Sequence, residues 1–187
     1  MAALVTGAAG FVGSFLVERL IGNGTFVVGA DNLSHGTKTH LSRALESGKF
    51  RLVEVDLSDR ASISQRLEPV VVECGVDMVW HLAANSDIKA GITDPTVDLR
   101  DTLLTTFNMV TLARSHEIVR FAFASTSAIY GEARSPLNEN SGLSLPTKRA
   151  AKSAADAKSL DSVARRRSRM IASTFFPAKP RRVVSNS

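Results

Sequence analysis

The strongest constraint on this chain is a short stretch near its start, Thr6-Gly7-Ala8-Ala9-Gly10-Phe11-Val12-Gly13. An apolar run, Ala2–Thr6, precedes it and reads as a buried strand. Phe11–Ile21 follows, with Phe11, Phe15, Leu16 and Leu20 near helical spacing and Gly22-Asn23-Gly24 as the stop. A strand that enters a helix through a glycine-rich turn must reverse sharply. It also lets backbone approach a ligand with no Cβ in the way. The helix N-terminus then offers free N–H groups and partial positive charge, which suits a phosphate. Glycines also cap and turn for purely structural reasons; the strand–turn–helix context assigns this triplet, Gly7, Gly10 and Gly13, to a pyrophosphate.

The same rhythm continues. Thr25–Ala30, Phe50–Val55, Val76–Leu82 and Val119–Ser125 read as further strands; Lys38–Ser47, Ser62–Cys74 and Thr96–His116 read as helices between them. Alternation of this kind implies parallel pairing with right-handed crossovers, and runs apolar on both faces fit a doubly wound α/β sheet covered on both sides. The second strand runs into Asp31-Asn32. A carboxylate there accepts hydrogen bonds from an adenosine ribose and repels a 2′-phosphate, which favours NAD over NADP; the alternative is that Asp31 only starts a turn. Asp56-Leu57, at the end of the third strand, is placed to flank an adenine or to make an ordinary turn.

Composition sets the class. The chain has 187 residues, 44% of them hydrophobic, enough for one domain with a real core and too many for wholesale disorder. Its net charge of +5 is unevenly spread. Residues 1–147 hold 12 basic and 16 acidic side chains, a net −4, whereas residues 148–187 hold 11 basic and 2 acidic, a net +9. The single cysteine, Cys74, cannot form an internal disulfide, and His35, His40, His81 and His116 sit in no ligand pair, so no metal site is expected. A reducing, cytoplasmic setting follows as the expectation. Ala2–Val17 is apolar but has no basic residue before Arg19 and is interrupted by glycine, unlike a signal peptide. No run approaches the ~20 apolar residues of a membrane span.

Further motifs carry a resemblance. The spacing Gly7-x-x-Gly10-x-x-Gly13, Asp31-Asn32-Leu33-Ser34 with Gly36, His81-Leu82-Ala83-Ala84 and Ser125-Thr126-Ser127-Ala128-Ile129-Tyr130-Gly131 together resemble the extended short-chain dehydrogenase/reductases, the NAD-dependent epimerases and dehydratases of nucleotide sugars. The segment after the second strand resembles UDP-glucose 4-epimerases. The resemblance covers about residues 1–146 and implies a Rossmann-type sheet. It also implies that Phe11 and Val12 lie beside the pyrophosphate, Asp31 and Asn32 hold the ribose, and Asp56 and Leu57 meet the adenine. Leu82, Ala83 and Ala84 would line the cofactor, with Ser125 near the nicotinamide. Thr126 takes the position of the catalytic hydroxyl, and Tyr130 matches a structural tyrosine. In the long helix, Thr102 stands where the family commonly has a cofactor-side asparagine. A homodimer through that helix and a nucleotide-sugar substrate are further implications.

The family's base is a tyrosine followed four residues later by a lysine that lowers its pKa. This chain has one tyrosine, Tyr130, already assigned. The best match to that segment is Lys148–Asp156, with Lys152 at the lysine position and Lys148 where the tyrosine belongs. Residues 1–146 therefore read as the cofactor domain. Residues 147–187 read as a basic tail, partly helical or disordered, with no pattern for the sheet strand and substrate domain that family members add. The expectation is that the family frame ends near Pro146 in a frameshift or truncation scar; reading the gene in its other two frames tests it. Three functions stay open: a nucleotide-sugar epimerase or dehydratase, an NAD-binding pseudoenzyme or fragment, and a binder of nucleic acid or acidic surfaces through Arg165–Arg182. A solvated tail is preferred over the last, since no aromatic stacking pattern surrounds the arginines.

Overall fold

β1 (Ala2–Thr6) is buried along its whole length, as a run apolar on both faces requires. It is the central strand of a parallel sheet. β2 (Phe26–Asp31) and then β3 (Phe50–Glu54) lie on one side, β4 (Val76–His81) and β5 (Arg120–Phe123) on the other, in the order β3-β2-β1-β4-β5. The computed structural model describes residues 1–125, and residues 1–124 form one compact unit.

Helices cover both faces. On one, Leu4, Val28 and Val79 pack with Ile63, Leu67, Met109 and Leu112; on the other, Val5 and Val27 pack with Val17, Leu41 and Ala44. Neighbouring residues of β1 and β2 thus point to opposite cores, the period-2 alternation of a strand. The first core is closed by the stretch α3 (Arg60–Ser62), a π-helical segment Ile63–Leu67 and α4 (Glu68–Glu73), and by α7 (Thr105–Ser115). The second is closed by α1 (Phe11–Gly22) and by α2 (Ser42–Glu46) with its preceding 3₁₀ turn Lys38–Leu41.

Several boundaries differ from expectation, each for a local reason. The helix expected from Ser62 starts at Arg60, because the Asp59 carboxylate accepts the Ala61 amide at 2.9 Å. It widens into a π turn just before Pro69, whose ring crowds the preceding turn and whose nitrogen has no proton to give it. The long helix starts at Pro95, as α6 (Pro95–Asp98), under a cap from Asp94. It too has a π segment, Leu99–Leu104, after which the Thr105 hydroxyl donates to the Asp101 carbonyl at 2.8 Å and the Thr106 hydroxyl to the Thr102 carbonyl at 2.7 Å. A short helix, α5 (Ile88–Thr93), capped by Asp87, was not expected at all. No helix among the described residues is long and apolar enough to cross a membrane.

The sheet reverses direction of growth between β1 and β4. Their last paired residues are Thr6 and His81, and the loops that leave these two strand ends turn to opposite faces. A crevice opens between such loops, the usual ligand site of a doubly wound sheet.

Candidate functional site

A cleft of about 380 Å³ lies at that crevice. Gly7, Gly10, Phe11, Val12 and Gly13 form one wall. Gly7 has φ +67°, a left-handed conformation that glycine adopts without strain, and a Cβ there would sit 3.0 Å from the Ala83 nitrogen. A Cβ on Gly13 would collide with the Gly7 carbonyl oxygen. These two glycines are thus required by close approach of backbone to backbone. Gly10 caps α1 with no side-chain acceptor over the first turn, and that turn holds no acidic residue. The first turn, Phe11 to Gly13, borders the cleft, and its N–H groups favour an anion.

The second wall comes from the ends of β2 and β3. Asp31 is buried; its Oδ2 accepts the Ala9 amide at 2.9 Å and its Oδ1 the Leu33 amide at 2.8 Å. The carboxylate thus starts a turn, and it also lines the cleft, where a ribose was expected. The bond to Ala9 pins the glycine loop to β2. Asn32 accepts from the Ser34 amide and hydroxyl, at 3.0 and 2.7 Å, and Leu33 between them is held at φ +58°, a conformation unfavourable for leucine. Asp56 likewise accepts from the Ser58 amide and hydroxyl, both at 2.8 Å, while lining the cleft beside Leu57.

The third wall is the loop after β4. Leu82 and Ala83 donate their amides to the Thr6 hydroxyl oxygen, each at 3.1 Å. The same oxygen lies 2.7 Å from Nδ1 of His81, whose Nε2 lies 3.0 Å from the Thr106 hydroxyl. His81 is 3% exposed, and burial pushes its pKa down to about 4, so the ring is neutral at physiological pH. Thr102, the position of the expected asparagine, accepts the Asn85 amide at 3.1 Å through its hydroxyl. The substitution leaves Thr102 in contact with the loop.

All twelve cofactor-side residues expected from Gly7 to Ala84 thus meet in one cleft. Ser125 is exposed and lies beyond the unit that builds it. Thr126, Lys152 and Tyr130 lie outside the described residues. The structure adds Ser34, His35, Asn85, Ser86, Asp101 and Thr105 to the lining. Asp101 is held below the usual carboxylate range, chiefly by its hydrogen bond from Arg100. Asn108, on α7, is buried and donates to the Leu57 carbonyl at 2.8 Å, fixing the loop after β3. A visible signal for these helix residues is the polar set Asp101, Thr105 and Asn108, spaced four and three residues apart on one helix face.

A glycine cradle at the mouth of the first helix, a buried carboxylate at the end of the second strand and a cleft at the reversal of a 3-2-1-4-5 sheet define a dinucleotide-binding α/β protein. Residues 3–155 match the model of the NAD dependent epimerase/dehydratase family, and the chain belongs to that family. The match runs past Pro146 and across Lys152. The chain is 36% identical over 132 residues to a UDP-glucose 4-epimerase of Mycolicibacterium smegmatis, covering 70% of this chain and 41% of the relative. It is 35% identical to UDP-glucuronic acid decarboxylase 1 of Arabidopsis thaliana, over 69% of this chain and 27% of that one. The crystal structure of Thermus thermophilus UDP-glucose 4-epimerase in complex with NAD superposes with a TM-score of 0.67 at 31% identity, over 89% of this chain and 51% of that chain. The chain therefore spans less than half the length of these two curated relatives.

Proposed function

We propose that this chain carries the NAD-binding half of a nucleotide-sugar epimerase or dehydratase and that its own turnover is impaired. The observation that carries the reading is the convergence of the three-glycine cradle and Asp31 on one cleft. The residues present fit the cofactor. Gly7, Gly10 and Gly13 line the cleft without side chains, and the uncapped first turn of α1 suits a pyrophosphate. Asp31 keeps lone pairs for a ribose diol beyond the two amides it already accepts. Asp56 and Leu57 would flank the adenine, and Leu82, Ala83 and Ala84 the rest of the cofactor. The chemistry NAD supplies when bound is uptake and return of a hydride at a sugar carbon.

Thr126 would hydrogen-bond the sugar oxygen, Ser125 would stand near the nicotinamide, and Lys152 would hold the lysine position. With Lys148 where a tyrosine base belongs, a positioned general base is missing, at a typical cost of ~10²–10⁴ in rate. An NAD-binding protein without turnover is the second reading, favoured by that same substitution. We further place residues 1–146 as the cofactor domain and 147–187 as a basic tail, in a cytoplasmic setting that suits the single Cys74. A homodimer through the long helix is supported by its exposed Leu99, Leu103, Phe107 and Val110.

Thermal unfolding with increasing NAD tests the cofactor reading. Saturation at a hundred times Kd should stabilise the fold by about 2.7 kcal/mol, and Gly13→Ala should remove the effect. No shift with NAD would refute it. Incubation with UDP-glucose or UDP-galactose should give turnover near background; a rate typical of epimerases would overturn the claim of impairment.

A further inference from the structure

The loop that lines the cleft after β4 is held by a chain of hydroxyl and imidazole groups, buried at Thr6 and His81, that the cofactor reading leaves unexplained. We propose that His81, as the neutral Nε2–H tautomer, is a positioning residue for the cofactor, holding the Leu82–Ala84 wall against the phosphate loop through the Thr6 hydroxyl. This rests on the NAD reading above.

The hydrogen-bond directions follow from counting donors. The Thr6 hydroxyl has one proton and two acceptor sites. Both acceptor sites are taken by the Leu82 and Ala83 amides. With both sites so used, its proton goes to His81, and Nδ1 is the acceptor at 2.7 Å. Nε2 then carries the ring proton and donates to the Thr106 oxygen at 3.0 Å. Thr106 passes its own proton to the Thr102 carbonyl at 2.7 Å. The Thr102 hydroxyl accepts from Asn85 at the far end of the same loop. The chain thus grips the loop at both ends.

The consequence for the site lies at Gly7. The Ala83 nitrogen lies 3.0 Å from where a Gly7 Cβ would stand, so the loop and the phosphate turn are in direct backbone contact. A proton on Nδ1 would turn it from acceptor to donor. Three N–H groups would then aim at one oxygen with two acceptor sites. Leu82 has a second acceptor in the Thr6 carbonyl at 3.3 Å, so Leu82 is the amide displaced, and the hydroxyl loses one of its two bonds to the wall. Little else competes for the ring. β1 presents Thr6, α7 presents Thr106, and β5 presents Phe121, with ring centroids 6.1 Å apart. The nearby charged groups of these elements are paired elsewhere, Arg120 with Asp77 on β4 and Asp101 with Arg100, while Arg114 lies in the last turn of α7.

The test uses the full-length chain near neutral pH. Long-range proton–nitrogen correlation spectra should show His81 with a proton on Nε2 and a bare Nδ1, and the Ala83 amide should be protected from hydrogen exchange. Thr6→Ser, which keeps the hydroxyl, should bind NAD within about twofold of the unmodified chain, whereas Thr6→Val should bind about tenfold more weakly or worse. Ala83 protection should fall in Thr6→Val. Thr106→Val, which removes the distal acceptor together with its bond to the Thr102 carbonyl and leaves Thr6 in place, should raise the Nδ1–H tautomer and weaken NAD binding even if Thr6→Val does not fold. An Nδ1–H or charged ring in the unmodified chain would overturn the proposal, as would valine variants that fold and bind NAD as tightly as the unmodified chain. The expected ring and a protected Ala83 amide without any NAD binding would overturn the cofactor reading itself, and the positioning role with it.

Discussion

Asp31 accepts the Ala9 and Leu33 amides, so the carboxylate expected to face a ribose also fixes the loop expected to face phosphates. Its residue type and strand-end position were legible in the sequence. Its bond to Ala9, across 22 positions of chain, was not, because no local pattern encodes which amide a side chain will reach in the fold. His81 makes the same point more strongly. Its motif marked a loop expected to run along the cofactor, yet its burial between Thr6 and Thr106 depends on three separate elements. That burial has a measurable effect on stability. The folded pKa is lowered from 6.5 to about 4, so between these values the unfolded chain binds more protons. Stability from this group is complete above about pH 6.5 and is lost as pH falls towards 4, on the order of a few kcal/mol in all. Denaturant unfolding across that window should show the loss in the unmodified chain and a shallower slope in His81→Phe. Equal slopes would show that His81 does not titrate in this way.

At the scale of elements, the five strands stood out because each is short, apolar and bounded by turn residues. The glycine loop stood out because a strand, a turn and a helix follow one another without a gap. Helix starts were harder to place: Asp59, Asp87 and Asp94 cap helices through their carboxylates, but aspartates open ordinary turns by the same bond, as Asp56 does with Ser58. The π segments were invisible because they change hydrogen bonding without changing the apolar pattern. The long helix carries a prediction of its own. Leu103 and Phe107 are 62% and 64% exposed, one turn apart, beside exposed Leu99 and Val110, an apolar stripe that suits contact with a second copy. Light scattering coupled to gel filtration should show a dimer for the unmodified chain and a monomer for Leu103→Asp/Phe107→Asp. A monomer in both would remove the dimer proposal.

At the scale of the molecule, the cleft exists because the sheet grows outward from β1 in two directions, so the loops after β1 and β4 part at its C-terminal edge. The net charge of +5 belongs to no single part of this design. The four arginines at 165, 166, 167 and 169 could bind phosphates only in a strongly salt-dependent way. Duplex DNA binding measured at low and physiological salt should be equally weak for the full chain and for residues 1–146. A steep, salt-sensitive gain in the full chain would restore the tail as a binding element.

By itself the sequence determined the strand–helix alternation, the glycine turn, the carboxylate at the second strand end and the family, because each is a matter of residues within a few positions of one another. Only the tertiary structure decided that the three walls meet in one cleft, that Asp31 holds Ala9, and that a buried neutral histidine supports the loop against Gly7. Those relations join residues 22 to 77 positions apart. They come into being when strands pair and helices pack, since only then does burial remove the water that would otherwise satisfy each polar group.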